Sequence, residues 1–159
     1  MRFKIVETGD LVTKVDALHA SGKKAAFTNG CFDILHCGHI RYLNAARREG
    51  DILIVALNSD ASVQTIKGPL RPIIHQAQRA EVLAGLGCVD YVTIFDEPDP
   101  LRLIQRIKPD VVVKGDDWAE DEIIGADIVK ANDGRVVRVP VVSDISTSDI
   151  IQRIIERYR

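Results

Sequence analysis

The chain of 159 residues lacks long apolar runs, a large excess of either charge and a disulfide-like set of cysteines. Its strongest apolar run, ILIVAL at 52–57, is far too short to span a bilayer, and its first ten residues contain no apolar signal-peptide core. The net charge of −2 argues against binding polyanions through bulk electrostatics. Three cysteines are an odd number, which favours reduced thiols. These absences predict a cytoplasmic protein that binds neither membranes nor nucleic acid.

What the sequence does contain is a regular alternation of β-rich runs and amphipathic stretches. The β-rich runs predict strands at 25–28, 52–58, 91–95, 111–114 and 135–142. The periodic stretches predict helices at 11–22, 38–49, 76–86, 100–107, 123–132 and 146–158. This order predicts an α/β fold with a Rossmann-like, doubly wound parallel sheet. We expect a single domain over 1–159, with 1–23 as an N-terminal helical extension packed on it.

Polar clusters follow four of these strands in the chain direction. They are TNG at 28–30, NSD at 58–60, KGDD at 114–117 and SDISTS at 143–148. The carboxyl ends of parallel strands meet at one edge of a sheet, and open α/β sheets bind their ligands there. A flavodoxin-like receiver domain has the same element order, but it would need an acidic cluster with a phosphoacceptor Asp after early strands. The pattern therefore predicts a ligand site along this edge.

The stretch TNGCFDILHCGH at 28–39 joins the first strand to the next helix. A helix N-terminus offers unpaired N–H groups and the positive end of the dipole, which suit an anion. Gly30 permits a tight turn, and Gly38 permits a ligand to approach the first helical turn. His36 and His39 are three residues apart, so both rings project from one helix face and can donate to charge on phosphate oxygens. Neither the dinucleotide-binding nor the P-loop glycine pattern occurs in the chain.

Three other interpretations of this stretch stay open. A zinc site would favour cysteines two to four residues apart and a second ligand pair, whereas Cys31 and Cys37 are six apart. A thiol nucleophile would need a distant histidine with an orienting Asn or Asp, and a neighbouring His36 says little about that. The third interpretation is two surface histidines at the start of a helix.

The ten residues 30–39 have the pattern G-x-F-D-x-x-H-x-G-H, which resembles the signature of the cytidylyltransferase-like nucleotidyltransferases. Further segments resemble, in this order, the bacterial heptose 1-phosphate adenylyltransferases of that family. They are VALNSDASV, KGPLRPI, VDYVTIFDE, PDVVVKGDDW, GADIV and ISTSDII. In some bacteria this activity is fused to a sugar kinase. The resemblance covers essentially the whole chain, so we expect the stand-alone form without a kinase domain.

This resemblance implies a reaction and a set of site residues. AMP passes from ATP to a heptose 1-phosphate, giving ADP-heptose and pyrophosphate for lipopolysaccharide biosynthesis, without a covalent intermediate. Mg²⁺ would accompany the triphosphate. The implied catalytic residues are His36, His39 and Lys67. The implied nucleotide contacts are Gly30, Cys31, Phe32, Gly38, Lys114, Gly115, Asp116, Ser146 and Thr147. The implied substrate contacts are Asp33, Asn58, Arg71 and Arg79, and no residue is assigned to a metal.

The cationic residues at 67–79 have local interpretations as well. Lys67 and Arg71 lie in a loop stiffened by prolines, and such a loop could close over phosphates as a lid. Arg79 is near a helix start, where a cation opposes the helix dipole, and this hints at an anionic partner. Asn58 and Asp60 could read sugar hydroxyls.

Three later residues have structural interpretations as well. Asp116 is a good helix N-cap residue, and Ser146 with Asp149 forms a near capping box. A capped helix still presents free N–H groups, so Ser146 can serve both roles. Trp118, the only tryptophan, could stack on a ligand but is more often packed in a core.

Alternatives from other classes also remain. Cytidylyltransferase relatives place an Arg shortly before I-S-T, where this chain has Val142, Ser143 and Asp144, and this favours ATP over CTP. A transferase acting on another small phosphate, such as glycerol 3-phosphate, and a nucleotide sensor without turnover are the competing functions. A homodimer or higher homo-oligomer is expected, with an interface at the N-terminal helix or the apolar segment 89–95.

Overall fold

Strands and helices alternate along the chain much as the sequence predicts. The computed structural model describes residues 2–141 and 144–158. The strands are β1 (Ala25–Gly30), β2 (Ile52–Asn58), β3 (Tyr91–Phe95), β4 (Val111–Gly115) and β5 (Arg135–Val139). The α-helices are α1 (Thr8–Ala20), α2 (Cys37–Arg47), α3 (Asp60–Lys67), α4 (Gln76–Gly85), α5 (Leu101–Ile107), α6 (Ala126–Ala131) and α7 (Thr147–Tyr158). Among the described residues, no helix is both long and apolar enough to cross a membrane.

The five strands form one parallel sheet in the order β3-β2-β1-β4-β5. From β1 the chain first builds outward through β2 to β3, and then returns to place β4 on the other side of β1. The strand order therefore reverses between β1 and β4, which is the position where open α/β sheets leave a crevice for a ligand. The predicted Rossmann-like, doubly wound fold is confirmed.

Helices cover both faces of the sheet, because strands such as β2 and β4 are apolar on both sides. One core contains Leu43 of α2 and Leu83 of α4, packed against β1, β2 and β4. The other contains Leu11 of α1, Ile104 of α5 and Val129 of α6, packed on the opposite face. Full burial of such a side chain contributes roughly 1.5–3 kcal/mol. The two cores fix the sheet, and the sheet in turn fixes where its loops converge.

The N-terminal segment covers the β3 edge of the sheet. The Val6 N–H donates to the carbonyl of Val92 at 2.9 Å, and the Lys4 ammonium donates to the carbonyl of Val89 at 2.7 Å. Val89 and Val92 are fully buried within the chain. The segment 89–95 is thus mainly internal, which weakens it as the expected subunit interface.

Several predicted boundaries need correction. α3 was not predicted: the side chain of Ser59 caps it by accepting from the N–H of Ser62, and Val63 is its only buried apolar side chain. Lys67 consequently ends a helix and does not lie in a loop. α6 begins at Ala126, three residues later than expected, after a short 3₁₀ turn at 120–122. β5 ends before Pro140, and residue 142 of the predicted strand lies outside the described residues.

Candidate active site

A cleft of about 560 Å³ opens at the carboxyl ends of β1 and β4, where the strand order reverses. Most of the predicted site residues line it: Gly30, Cys31, Phe32, Asp33, His36, Gly38, His39, Asn58, Lys67, Arg71, Lys114, Gly115, Ser146 and Thr147. Asp116 and Arg79 do not. The polar clusters at the strand ends therefore meet at one edge of the sheet, as the sequence predicted. Residues as far apart in sequence as Gly30 and Thr147 line the same cleft.

The two histidines form a stacked pair at the start of α2. Their ring centroids are 3.9 Å apart with an interplanar angle of 31°, and the ring of Phe32 lies 5.4 Å from that of His39. His36 occupies the N-cap position without making a side-chain cap bond. Both Nδ1 atoms are buried, and neither has a hydrogen-bond partner among the described residues. Buried polar atoms are nearly always paired, so the two unpartnered Nδ1 atoms mark this pair as a candidate functional group.

Burial keeps both histidines uncharged at neutral pH. Burial lowers the pKa of His36. Burial, and then the proximity of His36, lowers the pKa of His39 to about 4. A neutral imidazole retains one N–H donor and one acceptor nitrogen. Each ring can therefore donate one hydrogen bond to an oxyanion without a prior protonation step.

The low pKa of His39 predicts a pH-dependent stability. His39 has a pKa of about 4 in the folded chain and an ordinary value of 6.5, so the unfolded chain binds more protons between these values. The free energy of unfolding should therefore fall as the pH is lowered from 6.5 to 4. Urea unfolding across this window should show a shallower slope for His39→Gln, which does not titrate. The exposed His75 provides a control in His75→Gln, and an unchanged slope in His39→Gln would contradict the burial argument.

Gly30 is required by the neighbouring phenylalanine. Phe32 has a positive φ of 41°, which folds its ring back over the end of β1. A Cβ on Gly30 would lie 2.9 Å from Cε2 of Phe32, closer than real contacts allow. The reason for this glycine is therefore a close ring contact and not the tight turn expected from the sequence. Gly38 is buried in the first turn of α2 and lines the cleft.

The carboxylate of Asp33 fastens segment 68–75, which carries Arg71, to residues 31–36 between β1 and α2, called the histidine loop below. It accepts from Nε of Arg71 at 2.6 Å and from the N–H groups of Ile73 and Ile74 at 2.9 Å. Burial raises the pKa of Asp33, but these hydrogen bonds outweigh it and hold the net pKa below the ordinary value. The carboxylate is fully occupied, which corrects its predicted contact with substrate: it orients the loop. The same bonds argue against segment 68–75 closing as a lid.

Arg79 of α4 also links segment 68–75 to the histidine loop. Its guanidinium is completely buried and donates to the carbonyls of Cys31 and Ile74 and to Oδ1 of Asp60. The anionic partner that its helix position predicted is thus Asp60, inside the protein. The predicted contacts of Arg79 with substrate and of Asp60 with sugar hydroxyls are corrected, since these two side chains hold loops together.

Two predicted residues stand on the β2 side of the cleft. Asn58 is buried at the end of β2, where its Nδ2 donates to Oγ of Ser62 at 2.9 Å. Lys67 is exposed at the end of α3 and lines the cleft. With Arg71 it makes this side polar and cationic.

Lys114 lies on the β4 side in a different setting. Its ammonium donates to Oδ1 of Asn29 at 2.6 Å and lies 5.7 Å from the ring centroid of Trp118. Burial lowers the pKa of Lys114 to about 8. Asp116 turns away from the cleft to accept from the N–H of Val141 at 3.0 Å, and its neighbour Asp117 lines the cleft instead. The predicted contact of Asp116 with the nucleotide stays a prediction, and Asp117 is the carboxylate of this pair that lines the cleft.

The start of α7 forms a third side of the cleft, lined by Ser146, Thr147 and Ser148. Oγ of Ser146 accepts from the N–H of Asp149 at 3.1 Å and donates to its carboxylate, so Ser146 caps the helix. The hydroxyl of Thr147 donates to the carbonyl of Ile34 at 3.2 Å, which ties α7 to the histidine loop. The N-terminal N–H groups of α7 thereby face the same cleft as those of α2.

The cysteines contribute no reactive arrangement. Burial raises the pKa of the Cys31 thiol, and Cys37 is exposed and outside the cleft lining. In the described part of the chain, no group of three or more His, Cys, Asp or Glu side chains is arranged to hold a metal ion. The zinc alternative therefore has no ligand set there.

Residues 27–153, which contain most of β1, the histidine pair and the start of α7, match the cytidylyltransferase-like family. The chain belongs to this family. The resemblance found in the sequence is confirmed at that level.

Relatives of this cytidylyltransferase-like protein include two longer chains. The bifunctional protein HldE of Syntrophotalea carbinolica is 51% identical over 137 residues, which are 86% of this chain and 28% of that protein. The bifunctional protein HldE of Geobacter metallireducens is 50% identical over 155 residues, 98% of this chain and 32% of that protein. The chain thus spans about a third of the length of these relatives.

Two solved structures are similar in fold. The lipopolysaccharide core biosynthesis protein from Thermoplasma volcanium is 29% identical, with a TM-score of 0.66, and the match covers 77% of this chain and 100% of that one. Pantoate-beta-alanine ligase from Francisella tularensis, solved with a β,γ-ATP compound and β-alanine, is 18% identical, with a TM-score of 0.63 and coverage of 96% and 77%. The latter shows a shared fold only.

Sequence reasoning missed some cleft residues of this cytidylyltransferase-like protein. Asn29 and Asp117 were inside the polar clusters but were not singled out. Of the two roles that the sequence allows for Trp118, ligand stacking and core packing, core packing is wrong, since 47% of its surface is exposed and it lines the cleft. The signal for Trp118 in the sequence is its position directly after the polar cluster KGDD, at the end of a predicted strand.

Proposed function

We propose that this cytidylyltransferase-like protein transfers AMP from ATP to a heptose 1-phosphate, forming ADP-heptose and pyrophosphate. The observation that carries the proposal is the stacked His36–His39 pair at the start of α2, in the cleft where the strand order reverses. The buried Nδ1 atoms of both rings have no hydrogen-bond partner among the described residues. The choice of sugar rests on the segments that resemble heptose 1-phosphate adenylyltransferases. The similarity to a lipopolysaccharide core biosynthesis protein supports it.

The reaction is a direct displacement at the α-phosphorus. An oxygen of the sugar phosphate forms the new P–O bond, while the bond from the α-phosphorus to the α,β-bridging oxygen breaks and releases pyrophosphate. His36 and His39 donate N–H groups to phosphate oxygens as negative charge moves toward the leaving group. The N-terminal N–H groups of α2 bind the same phosphates. No protein nucleophile is needed, which is consistent with the raised pKa of the Cys31 thiol.

Different cationic side chains bind the sugar phosphate and the nucleotide. Nε of Arg71 is occupied by Asp33, which leaves the terminal nitrogens of its guanidinium for a phosphate on the β2 side. Lys67 adds a second cation there, and Asn58 offers its carbonyl oxygen to a sugar hydroxyl. Lys114 and the start of α7 at Ser146 and Thr147 serve the nucleotide.

Mg²⁺ fits this site as a companion of the triphosphate. The described residues offer no carboxylate cage, and Mg²⁺ typically keeps several waters and binds through one or two carboxylates together with substrate phosphates. Asp117 and Asp99 line the cleft and could supply such a ligand. When bound, Mg²⁺ neutralises negative charge between the phosphate groups.

The proposal is tested by pyrophosphate release across a panel of nucleotides and acceptors. With Mg²⁺, we expect ATP and heptose 1-phosphate to give the highest kcat/KM, and each substrate alone to give none. CTP with glycerol 3-phosphate is the matched comparison, because it represents the other branch of the family. Higher turnover with that pair would replace the proposed reaction, and nucleotide binding without any turnover would indicate a sensor.

A further inference from the structure

The cleft has two chemically different halves on either side of the histidine pair. The half next to β2 presents the amide of Asn58 and the cations Lys67 and Arg71. The half next to β4 and β5 holds Lys114 and Asp117 together with a group of apolar side chains, of which Trp118 and Val141 are both 47% exposed. Exposed apolar surface concentrated in a cleft indicates a ligand with an apolar face.

The indole ring of Trp118 is partly exposed in the cleft, where a flat ligand can stack on it. The ammonium of Lys114 lies over one ring face, 5.7 Å from the centroid, and is itself held by Asn29. This contact covers one ring face in part, and Trp118 keeps 47% of its surface exposed where it lines the cleft. The exposed Ile124 also lines this half and extends the apolar wall beside the ring.

We propose that Trp118 is the binding residue on which the base of the nucleotide stacks. The inference rests on the proposed function. A nucleobase has large apolar faces, whereas a sugar 1-phosphate is polyhydroxylated and anionic and requires the polar groups of the β2 half. With the base on Trp118 and the sugar phosphate near Arg71, the α-phosphate lies between them, beside His36 and His39.

Trp118 reports on its own ligand, because it is the only tryptophan of the chain. In the presence of Mg²⁺, titration with ATP should change the intrinsic tryptophan emission. Titration with tripolyphosphate, which has no base, should leave the emission nearly unchanged, and so should heptose 1-phosphate alone. An equal change with tripolyphosphate would overturn the proposal.

Substitutions of Trp118 distinguish a loss of base stacking from a general disturbance of the cleft. Base–aromatic stacking typically accounts for about a ten- to hundredfold difference in affinity, so Trp118→Ala should raise the Kd for ATP by that factor. Trp118→Phe, which keeps an aromatic face, should raise it by less than about threefold. The KM for the sugar phosphate should stay within about twofold of wild type in both variants. Tyr158→Ala, an exposed aromatic outside the cleft, is the control and should bind ATP normally.

The outcomes distinguish this inference from the proposed function. If Trp118→Ala binds ATP within twofold of wild type, or if only the KM for the sugar phosphate rises, Trp118 is not the base platform. If ATP changes the emission but heptose 1-phosphate is not an acceptor, the stacking role stands and the proposed reaction fails.

Discussion

Replacement of His39 by alanine is expected to lower kcat by about 10²- to 10³-fold while the protein remains folded. The ring has one N–H to donate to charge that develops on phosphate oxygens, and this contact is stronger in the transition state than in the ground state. The KM for ATP should change far less than kcat. Steady-state pyrophosphate release and the far-ultraviolet circular dichroism spectrum measure the two parts of this prediction.

The control for this substitution is His75→Ala. His75 lies at the start of α4 with 86% of its side chain exposed, and it does not line the cleft. Its removal should leave kcat within about twofold of wild type. A His39→Ala variant with near-wild-type kcat would remove the histidine pair from the mechanism.

Replacement of Arg79 by methionine is expected to destabilise the protein by about 3–5 kcal/mol. The substitution leaves the half-buried carboxylate of Asp60 without its main cation and takes the donors away from the carbonyls of Cys31 and Ile74. For a chain of this size the melting temperature should fall by on the order of 10 °C. Urea unfolding and thermal unfolding measure the two quantities.

Arg47→Met is the matched control for a paired arginine. Arg47 contacts Asp90 at 3.0 Å, and both side chains are about one-third exposed, so its loss should destabilise by less than about 1 kcal/mol. Equal losses in the two variants would show that the buried network around Arg79 has no special role in holding the loops together.

The sheet and the location of the cleft were predictable because they depend on local patterns. The continuous apolar run of β2 predicts a strand buried on both faces, and the clusters TNG and KGDD mark the ends of β1 and β4. Parallel pairing then brings those ends together at the point where the strand order reverses. The helix α3 was missed, since its only clear signals are the cap Ser59 and the buried Val63.

Side-chain roles were harder to predict, because they depend on partners distant in sequence. Arg79 was expected to meet a substrate anion, but it pairs with Asp60, nineteen residues away. Asp33 pairs with Nε of Arg71 across thirty-eight residues, which makes the predicted substrate contact Asp33 a positioning residue and leaves the terminal nitrogens of Arg71 toward the cleft. Adjacent Asp116 and Asp117 point in different directions, and the sequence contains nothing to distinguish them. Tertiary packing decides such cases.

The most direct test of the account is ³¹P nuclear magnetic resonance of the products formed from ATP, Mg²⁺ and heptose 1-phosphate. Attack at the α-phosphorus predicts inorganic pyrophosphate and two coupled doublets from a new pyrophosphate diester that joins AMP to the sugar phosphate. ADP with a doubly phosphorylated sugar would place the attack at the γ-phosphorus. AMP and pyrophosphate without the diester would mean hydrolysis, and either result would contradict adenylyl transfer in this cleft.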